Sequence, residues 1–291
     1  MKRLIFITIL TCFSIFANAY DFCVNGIYYK IVSIQNRTVE VTKGEEFSYY
    51  LASISIPATV NYKGKDFKVI GIGEEVFYKT NLTKVELPEG LEYIGRGAFR
   101  EINYKPLEIN LPSTLKTIKE LAFHKTFVNN FFIPKNVEKI EFEALPNAFC
   151  ISIEDSDIPL GLYHSQGYLT VNDIYFGRTI FIYMKELKYP YKEVELEPDF
   201  ESNSPFPFIK FTKSINVTIG KNIKNPTYIF YLNFPDDTKI TVQNPTPPQL
   251  NLGPLKSNRM FVNWTIEVPR SALQIYQKTK GWSYFLNLEG K

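Results

Sequence analysis

The chain has 291 residues, and its 33 Lys and Arg against 30 Asp and Glu give a formal net charge of +3. Without Lys2 and Arg3, which lie in a segment that we expect to be removed, the charge falls by two to +1, and no basic stripe remains to favour a nucleic-acid partner. With 24 Phe and 19 Tyr the chain is rich in aromatic residues, and its length suits one large domain or two small ones.

Residues 1–19 have the pattern of a secretory signal peptide. A basic start is followed by an apolar run at 4–16 and by the small-x-small sequence Ala-Asn-Ala at 17–19. We expect cleavage before Tyr20 and export to the periplasm, the cell surface or the medium. The apolar run is too short to cross a membrane, and no later stretch reaches about 18 apolar residues. The sequence therefore predicts a soluble mature chain with no transmembrane segment.

Two local patterns predict β-hairpins near the N-terminus. Asn25 and Gly26 stand between FCV and IYYKI, which is a strong signal for a two-residue hairpin turn, so that 20–50 is expected to form a β cap. The polar segment NYKGKDFK at 61–68 is expected to be a hairpin inserted in the first coil of the region that follows.

From residue 51 to 269 a short strand pattern recurs. It alternates β-branched and other apolar residues over about six positions, and a turn residue closes it. The closing residues are Pro57, Pro88, Pro112, Pro134, Glu154, Gly177, Glu197, Gly220, Gln243 and Pro269. One strand every 20–29 residues is typical of a leucine-rich-repeat solenoid. The sequence thus predicts a right-handed coil of about ten turns, in which YKEVELEP at 191–198 is one degenerate turn.

The early repeats carry a second pattern after the closing residue. Apolar residues recur at offsets +3, +6, +10 and +11 in three successive repeats, and the members are Leu91, Ile94, Ala98, Phe99, Leu115, Ile118, Ala122, Phe123, Val137, Ile140, Ala144 and Leu145. The first repeat fits if 61–68 is an insertion before Val69, Ile72, Val76 and Phe77. A constant offset places these side chains in columns, which we expect to form the core on the return side of the coil.

These patterns resemble the BspA-type leucine-rich repeats of exported proteins from mouth- and gut-dwelling bacteria. The matching segments are IPATVNYKGKDFKVIGIGEEVF (56–77), LPEGLEYIGRGAF (87–99) and LPSTLKTIKELAF (111–123), and both ends of the mature chain, at 22–33 and 268–288, also look like those of that family. The resemblance implies a solenoid in one piece and, because members are mostly described as adhesins, a binding role. From about Phe149 the chain departs from the repeat pattern, and turns after about 155 are degenerate.

The C-terminal residues 270–291 are predicted to close the solenoid. Ser271 is placed to cap a short helix that Gly281 ends. Trp282, Phe285 and Leu288 would then cover the last apolar layer.

The sequence offers little catalytic chemistry. His124 and His164 have no Cys, Asp or Glu at metal-ligand spacing, and the carboxylates at 154–157 lack the glycine turn and spacing of a calcium loop. GIGEE at 71–75 lacks the Lys-Ser/Thr of a phosphate loop, so we interpret it as a turn. The outward carboxylates Glu86, Glu108, Glu193 and Glu267 are scattered over distant turns. We therefore predict no catalytic residue, no metal and no cofactor.

Binding is the function that the pattern favours. Counting back from each closing residue, offsets −6, −3 and −1 point inward, and −5, −4 and −2 point outward on a concave face. The outward set includes Asn129, Asn130, Phe132, Cys150, Ser152, Asn172, Asp173, Tyr175, Thr218, Thr241 and Trp264. From it we predict a binding surface made by Asn130, Phe132, Ser152, Asn172, Tyr175, Thr218, Thr241 and Trp264.

The predicted molecule is a monomeric, exported, non-enzymatic binding or adhesion module whose partner is a protein or a glycan. A structural role in the envelope without a soluble ligand is an alternative, and a glycan-active enzyme with paired carboxylates is another. Scattered exposed aromatic residues are also normal in a chain so rich in them.

The cysteines are predicted to stay unpaired. Cys23 lies in the N-terminal cap and Cys150 four coils further on, at least ~19 Å away at ~4.8 Å per coil, whereas a disulfide needs Cα atoms within ~7 Å. We expect Cys23 to be packed in the cap and Cys150 to be accessible. Cys12, in the leader, leaves lipidation open as an alternative, although Thr11 precedes it where a smaller residue is expected.

Overall fold

The structure is a computed structural model of the chain. It describes residues 20–44, 52–102, 105–164, 168–169, 173–177, 180–185, 193–195, 210–211, 215–231, 234–235, 237–251 and 264–291. The predicted leader at 1–19 and most of the Pro- and Ser-rich segment at 199–212 lie outside the described residues. Within the described residues, no helix is both long and apolar enough to cross a membrane.

Most of the described elements are short strands. In chain order they are β1 (Phe22–Val24), β2 (Ile27–Ser33), β3 (Thr38–Thr42), β4 (Ser53–Ser55), β5 (Thr59–Tyr62), β6 (Lys65–Ile72), β7 (Lys84–Glu86), β8 (Tyr93–Ile94), β9 (Glu108–Ile109), β10 (Thr117–Ile118), β11 (Phe127–Ile133), β12 (Lys139–Ile140), β13 (Asn147–Ile153), β14 (Leu160–His164), β15 (Tyr168–Leu169), β16 (Asp173–Phe176), β17 (Ile180–Lys185), β18 (Glu193–Glu195), β19 (Lys210–Phe211), β20 (Asn216–Ile219), β21 (Lys239–Val242), β22 (Thr265–Val268) and β23 (Asn287–Gly290). One α-helix, α1 (Leu273–Lys278), and 3₁₀ turns at Thr227–Tyr231, Arg270–Ala272 and Trp282–Tyr284 complete the described elements.

Two sheets face each other across the core. On one side, β11, β13, β16, β20, β21, β22 and β23 form a seven-stranded sheet in which every pairing is parallel, and β4, β7 and β9 form a three-stranded parallel sheet before it. On the return side, β6, β8, β10, β12, β14 and β17 pair in parallel. Parallel neighbours require a crossover, so the chain winds as a β-solenoid.

The return-side columns are buried as predicted. Every +3, +6 and +10 residue of the three early repeats is at most 1% exposed, and Val69, Ile72, Val76 and Phe77 are buried with them. The rings of Phe77, Phe99 and Phe123 stack with centroids 5.1 and 5.2 Å apart and nearly parallel planes. Leu145, the last +11 residue, is partly buried against the same core.

The N-terminal cap is joined to the coil through its third strand. Asn25 and Gly26 both have positive φ, 51° and 77°, so that β1 and β2 meet in the two-residue hairpin that the sequence predicts. Strand β3 pairs antiparallel with β2 and parallel with β6, while β5 and β6 form an antiparallel hairpin. The ring of Phe22 stacks on that of Tyr62 at 4.1 Å, which packs the cap against this hairpin.

The C-terminal end is covered differently from the prediction. The N-cap of α1 is Ala272, without a side-chain hydrogen bond, because the 3₁₀ turn that starts at Arg270 places Ser271 inside the turn. The helix ends at Lys278, before Gly281. Trp282 and Phe285 are buried as expected, and Leu288 packs against the core from β23, which adds one more parallel strand to the sheet.

The prediction for 191–198 is wrong. The described part of this segment, β18, pairs antiparallel with β17 on the return side, and β16 pairs directly with β20. The alternation of apolar residues indicates a short strand but not its partner or direction, so a coil strand and an antiparallel strand have the same pattern. The structure is a β-solenoid of about seven turns, so the predicted class is confirmed and the predicted count of about ten turns is too high.

Candidate functional site

Two rows of outward side chains cross the seven-stranded sheet, and together they are called the strand face. The first row, in register from strand to strand, is Asn130, Cys150, Asp173, Asn216, Lys239, Thr265 and Asn287. The second row is Phe132, Ser152, Tyr175, Thr218, Thr241, Glu267 and Glu289. Between the rows the inward residues are buried, since successive side chains of a strand point to opposite sides.

The structure brings six of the eight predicted binding residues together. They are Asn130, Phe132, Ser152, Tyr175, Thr218 and Thr241, all on the strand face and all at least partly exposed. Asn172 lies outside the described residues. The remaining residue, Trp264, does not belong to this surface.

Trp264 is a correction to the predicted site, because its side chain is 0% exposed. Strands β20, β21 and β22 begin at offset −4, whereas β11 and β13 begin at offset −7. In the later turns the residue at −5 therefore precedes the strand and turns inward, as Ile215 and Thr238 also do. The indole N–H of Trp264 donates to the carbonyl oxygen of Pro235 at 2.9 Å.

Two aromatic residues were missed by the sequence interpretation. Phe149 is 50% exposed, and its ring packs edge-to-face on that of Phe127, with centroids 5.2 Å apart. The signal was present, since Phe149 stands at the same offset, −5, as Asn129 on the neighbouring strand. Together with Phe132, which is 49% exposed, these rings make β11 and β13 the aromatic part of the strand face.

The centre of the strand face is held by side-chain hydrogen bonds. The amide of Asn216 donates to the carboxylate of Asp173 at 2.8 Å. The Tyr175 hydroxyl donates to Asp155 Oδ1 at 3.0 Å, and burial together with this carboxylate raises the pKa of Tyr175 to about 12. A Cβ on Gly220 would lie 2.7 Å from that hydroxyl oxygen, so glycine leaves the room that the contact needs.

The outward carboxylate of β22, Glu267, is neutralised by its neighbours. Its side chain accepts from the Thr241 hydroxyl at 3.1 Å and pairs with Lys239 and Lys291. Burial tends to raise the pKa of Glu267, but the hydrogen bonds from Lys239, Lys291 and Thr241 outweigh it and hold the pKa below its usual range. Glu267 therefore ties three neighbouring strands together.

A groove of about 800 Å³ lies where the three-stranded sheet meets the seven-stranded sheet. Its polar lining comes from β4, β7, β9, β11 and residues next to these strands: Ser53, Thr83, Lys84, Lys105, Glu108, Asn110, Asn129 and Asn130. Three of these eight are asparagines, so it is called the amide groove. It opens beside the aromatic part of the strand face, since Asn130 belongs to both.

A second groove, of about 660 Å³, follows the carboxyl ends of β13, β20 and β21. It is lined by residues 155–157, 221–224, 244 and 246–248, which carry both carboxylates and lysines. It lies at the rim of the strand face rather than on it.

The described residues form no group of three or more His, Cys, Asp or Glu side chains able to hold a metal ion. His124 is half-buried, and its Nδ1 lies 3.2 Å from Glu143. Burial holds the pKa of His124 below its usual value, against the opposing effect of Glu143. The GIGEE segment leads from β6 into a turn, as interpreted.

Both described cysteines carry free thiols. Cys150 is half-buried on the strand face, with its sulfur 3.6 Å from the Ser152 hydroxyl. Cys23 is exposed, which corrects the expectation that it packs in the cap. On β1 the side chains of Phe22 and Cys23 point to opposite sides, and Phe22 takes the inward one.

Sequence comparison identifies the repeats. Six copies of the BspA type leucine-rich-repeat region match residues 70–169. No curated protein matches the chain in sequence.

Several solved structures are similar to this chain. A leucine-rich repeat protein from Bacteroides capillosus is 31% identical over 41% of this chain and 86% of its own, with a TM-score of 0.38. A leucine-rich repeat protein from Bacteroides ovatus is 17% identical over 94% and 99%, with a TM-score of 0.34. A leucine-rich cell surface protein from Faecalibacterium prausnitzii is 15% identical over 93% and 94%, with a TM-score of 0.33.

The six repeat copies agree with the stacked strands and buried columns described above. The chain belongs to the BspA-type leucine-rich-repeat family.

Proposed function

We propose that this protein is a non-enzymatic binding or adhesion module that holds a protein or a glycan on its strand face. The observation that carries the proposal is the register of the two outward rows over seven parallel strands. Such a sheet presents side chains at a spacing of ~4.8 Å across a continuous surface, which suits recognition of an extended partner.

The arrangement of carboxylates supports binding over hydrolysis. Glu86 and Glu108 on the strand side are bridged by Lys84 at 3.0 and 3.8 Å, and Glu267 lies on a distant strand between two lysines. A glycosidase needs two carboxyl groups about 5–9.5 Å apart on either side of a bond, one of them kept protonated. The hydrogen bond from Lys84 holds the pKa of Glu86 below its usual range, and those from Lys239, Lys291 and Thr241 do the same for Glu267, so neither carboxylate is suited to be the protonated one.

The test is to print matrix proteins and glycans on one array and to probe it with the purified protein and two double variants. In the face variant, Phe132→Lys and Thr218→Lys place two charges in the middle of the strand face. In the matched control, Ile34→Lys and Thr59→Lys make the same kinds of change on exposed residues of the N-terminal region. We expect the face variant to lose capture and the control to keep it.

Loss of capture in the control alone, with capture retained by the face variant, would place the site elsewhere and overturn the proposal. Absence of capture by the unmodified protein across the array would favour the structural envelope role instead. Circular dichroism of both variants establishes that each keeps the fold.

We also propose that the protein is exported. The support is the basic, apolar and small-x-small pattern of residues 1–19, which predicts a mature chain beginning at Tyr20. Because Cys12 lies in this segment, its removal changes the number of thiols, which gives the proposal a measurable consequence.

A further inference from the structure

The amide groove and the exposed rings beside it have a more specific chemistry than the strand face as a whole. Strands β11 and β13 pair in register from Val128 and Ala148 to Ile133 and Ile153, so Asn129 lies next to Phe149. The exposed ring of Phe149 is therefore next to Asn129, which lines the groove together with Asn130, and both amides are exposed.

The polar groups of the groove suit hydroxyl groups. Asn110, Asn129 and Asn130 are exposed and line it, and each side-chain amide offers both donors and an acceptor. A sugar hydroxyl likewise donates and accepts, so adjacent hydroxyls can bond an amide in both directions. A surface of this kind binds polyols without needing a charge on the ligand.

The charges at the groove offset one another. Lys84 Nζ lies 3.0 Å from Glu86 and 3.8 Å from Glu108, so the lysine and the carboxylates on β7 and β9 form one exposed ion-pair group. Lys105 also lines the groove, so two lysines and two carboxylates stand at it, and a ligand of either sign would meet charges of both signs. The lining is thus polar but favours neither sign.

The aromatic residues supply the apolar half of a sugar site. Phe149 is 50% exposed and is held edge-to-face by Phe127, which fixes its orientation. A pyranose has one face of C–H groups that packs on an aromatic ring while its hydroxyls reach sideways. The ring of Phe149 can pack on the C–H face of a pyranose while the neighbouring amides bind its hydroxyl groups.

The amino-acid composition of the strand face favours a glycan over a protein as the partner. The centres of protein interfaces are enriched in Arg, Met, Phe, Trp and Tyr and depleted in Ser and charged residues. Of the fourteen described positions of the strand face, seven are Asn, Thr or Ser, and only Phe132 and Tyr175 belong to the enriched types.

From these observations we propose that the amide groove, with Phe149 next to its Asn129, binds a neutral oligosaccharide. The inference rests on the proposed function and narrows it, by naming the ligand class and by placing the subsite at β7, β9, β11 and β13.

The experiment uses an array that carries neutral oligosaccharides, sialylated and sulfated glycans and matrix proteins, followed by titration calorimetry with the best neutral hit. The groove variant is Asn129→Ala, Asn130→Ala and Phe149→Ala, all at exposed side chains. The control is Leu286→Ser, which removes a 75%-exposed apolar side chain near the C-terminus. We expect the groove variant to lose roughly tenfold or more in affinity, since two amides and one ring contact are removed, and the control to match the unmodified protein.

The outcomes separate the two proposals. Capture of proteins or anionic glycans only, abolished by the face variant, overturns the inference and leaves the proposed function standing. Equal binding of neutral glycans by the groove variant and by the unmodified protein also overturns the inference. Capture of nothing on the array overturns both, and thermal melting of the groove variant near the parent's temperature excludes unfolding as the cause of a loss.

Discussion

At the scale of the residue, the ring of Phe99 lies between two other rings. Phe77 stacks on one side and Phe123 on the other, at 5.1 and 5.2 Å, and Phe131 meets Phe123 edge-on at 5.0 Å. The three stacked rings come from successive repeats, so their column links three coils, and Phe131 of β11 contacts it from the strand side. Loss of the middle ring would open a cavity that the flanking rings, fixed by their own repeats, cannot fill.

Phe99→Ala is therefore expected to lower the free energy of unfolding by about 3–5 kcal/mol, through lost transfer energy and the cavity. Urea denaturation followed by circular dichroism measures the change. Phe132→Ala serves as the matched control, because the same truncation at a half-exposed ring should cost much less. Equal effects of the two substitutions would show that the +11 column is not the core.

At the scale of the element, Glu267 joins the last strands of the seven-stranded sheet. Its carboxylate on β22 contacts Lys239 on β21 and Lys291, which follows β23. The contacts are formed by a side chain that is only 8% exposed, so they are shielded from solvent more than the other ion pairs of the surface. This carboxylate is the part of the sheet that acid should weaken.

Because the folded-state pKa of Glu267 is depressed, its contribution is present above the unfolded value, about 4.3, and is lost as the pH falls through the folded value. The stability gap between the parent and Glu267→Gln should therefore be largest near neutral pH and shrink below about pH 4. Urea titrations at several pH values measure it. In a Lys239→Met background the gap should be smaller, and a gap independent of pH would contradict the assignment.

At the scale of the whole molecule, the coil is closed at both ends by different devices. The N-terminal hairpins β1–β2 and β5–β6 cover the first coil, and Trp264, Tyr276 and Trp282 are fully buried at the other end. Between the caps each strand contacts chiefly its neighbours, so residues that are several coils apart do not contact each other. The two described cysteines lie in such distant parts.

Thiol titration of the denatured, purified protein without reductant should count two free thiols per chain. Cys23 and Cys150 supply them, and removal of 1–19 takes Cys12 away. A count of three would mean that the leader is retained. A bridge between Cys23 and Cys150, detected by mass mapping, would mean that the chain folds back on itself and would contradict the linear solenoid.

The sequence by itself determined the repeat and the return-side columns. Phe99 and Phe123, like the apolar residues at +3, +6 and +10, lie at constant offsets from the closing residue. In a coil, residues at the same offset occupy the same position in each turn, so their side chains stack in columns. The Asn25–Gly26 turn was equally predictable, since few residue pairs adopt positive φ twice in succession. These features are local, or repeat a local pattern.

Only the tertiary structure decided where each strand begins and which strand it pairs with. Trp264 was predicted to point outward by counting from its closing residue. Strand β22 begins only at the next residue, Thr265, and the indole turns into the core. Likewise 191–198 has the composition of a coil strand, yet β18 pairs antiparallel on the return side. The amide groove exists because two sheets meet at β9 and β11. Strand starts and partners depend on neighbours distant in sequence, and alternation within one segment carries no information about them.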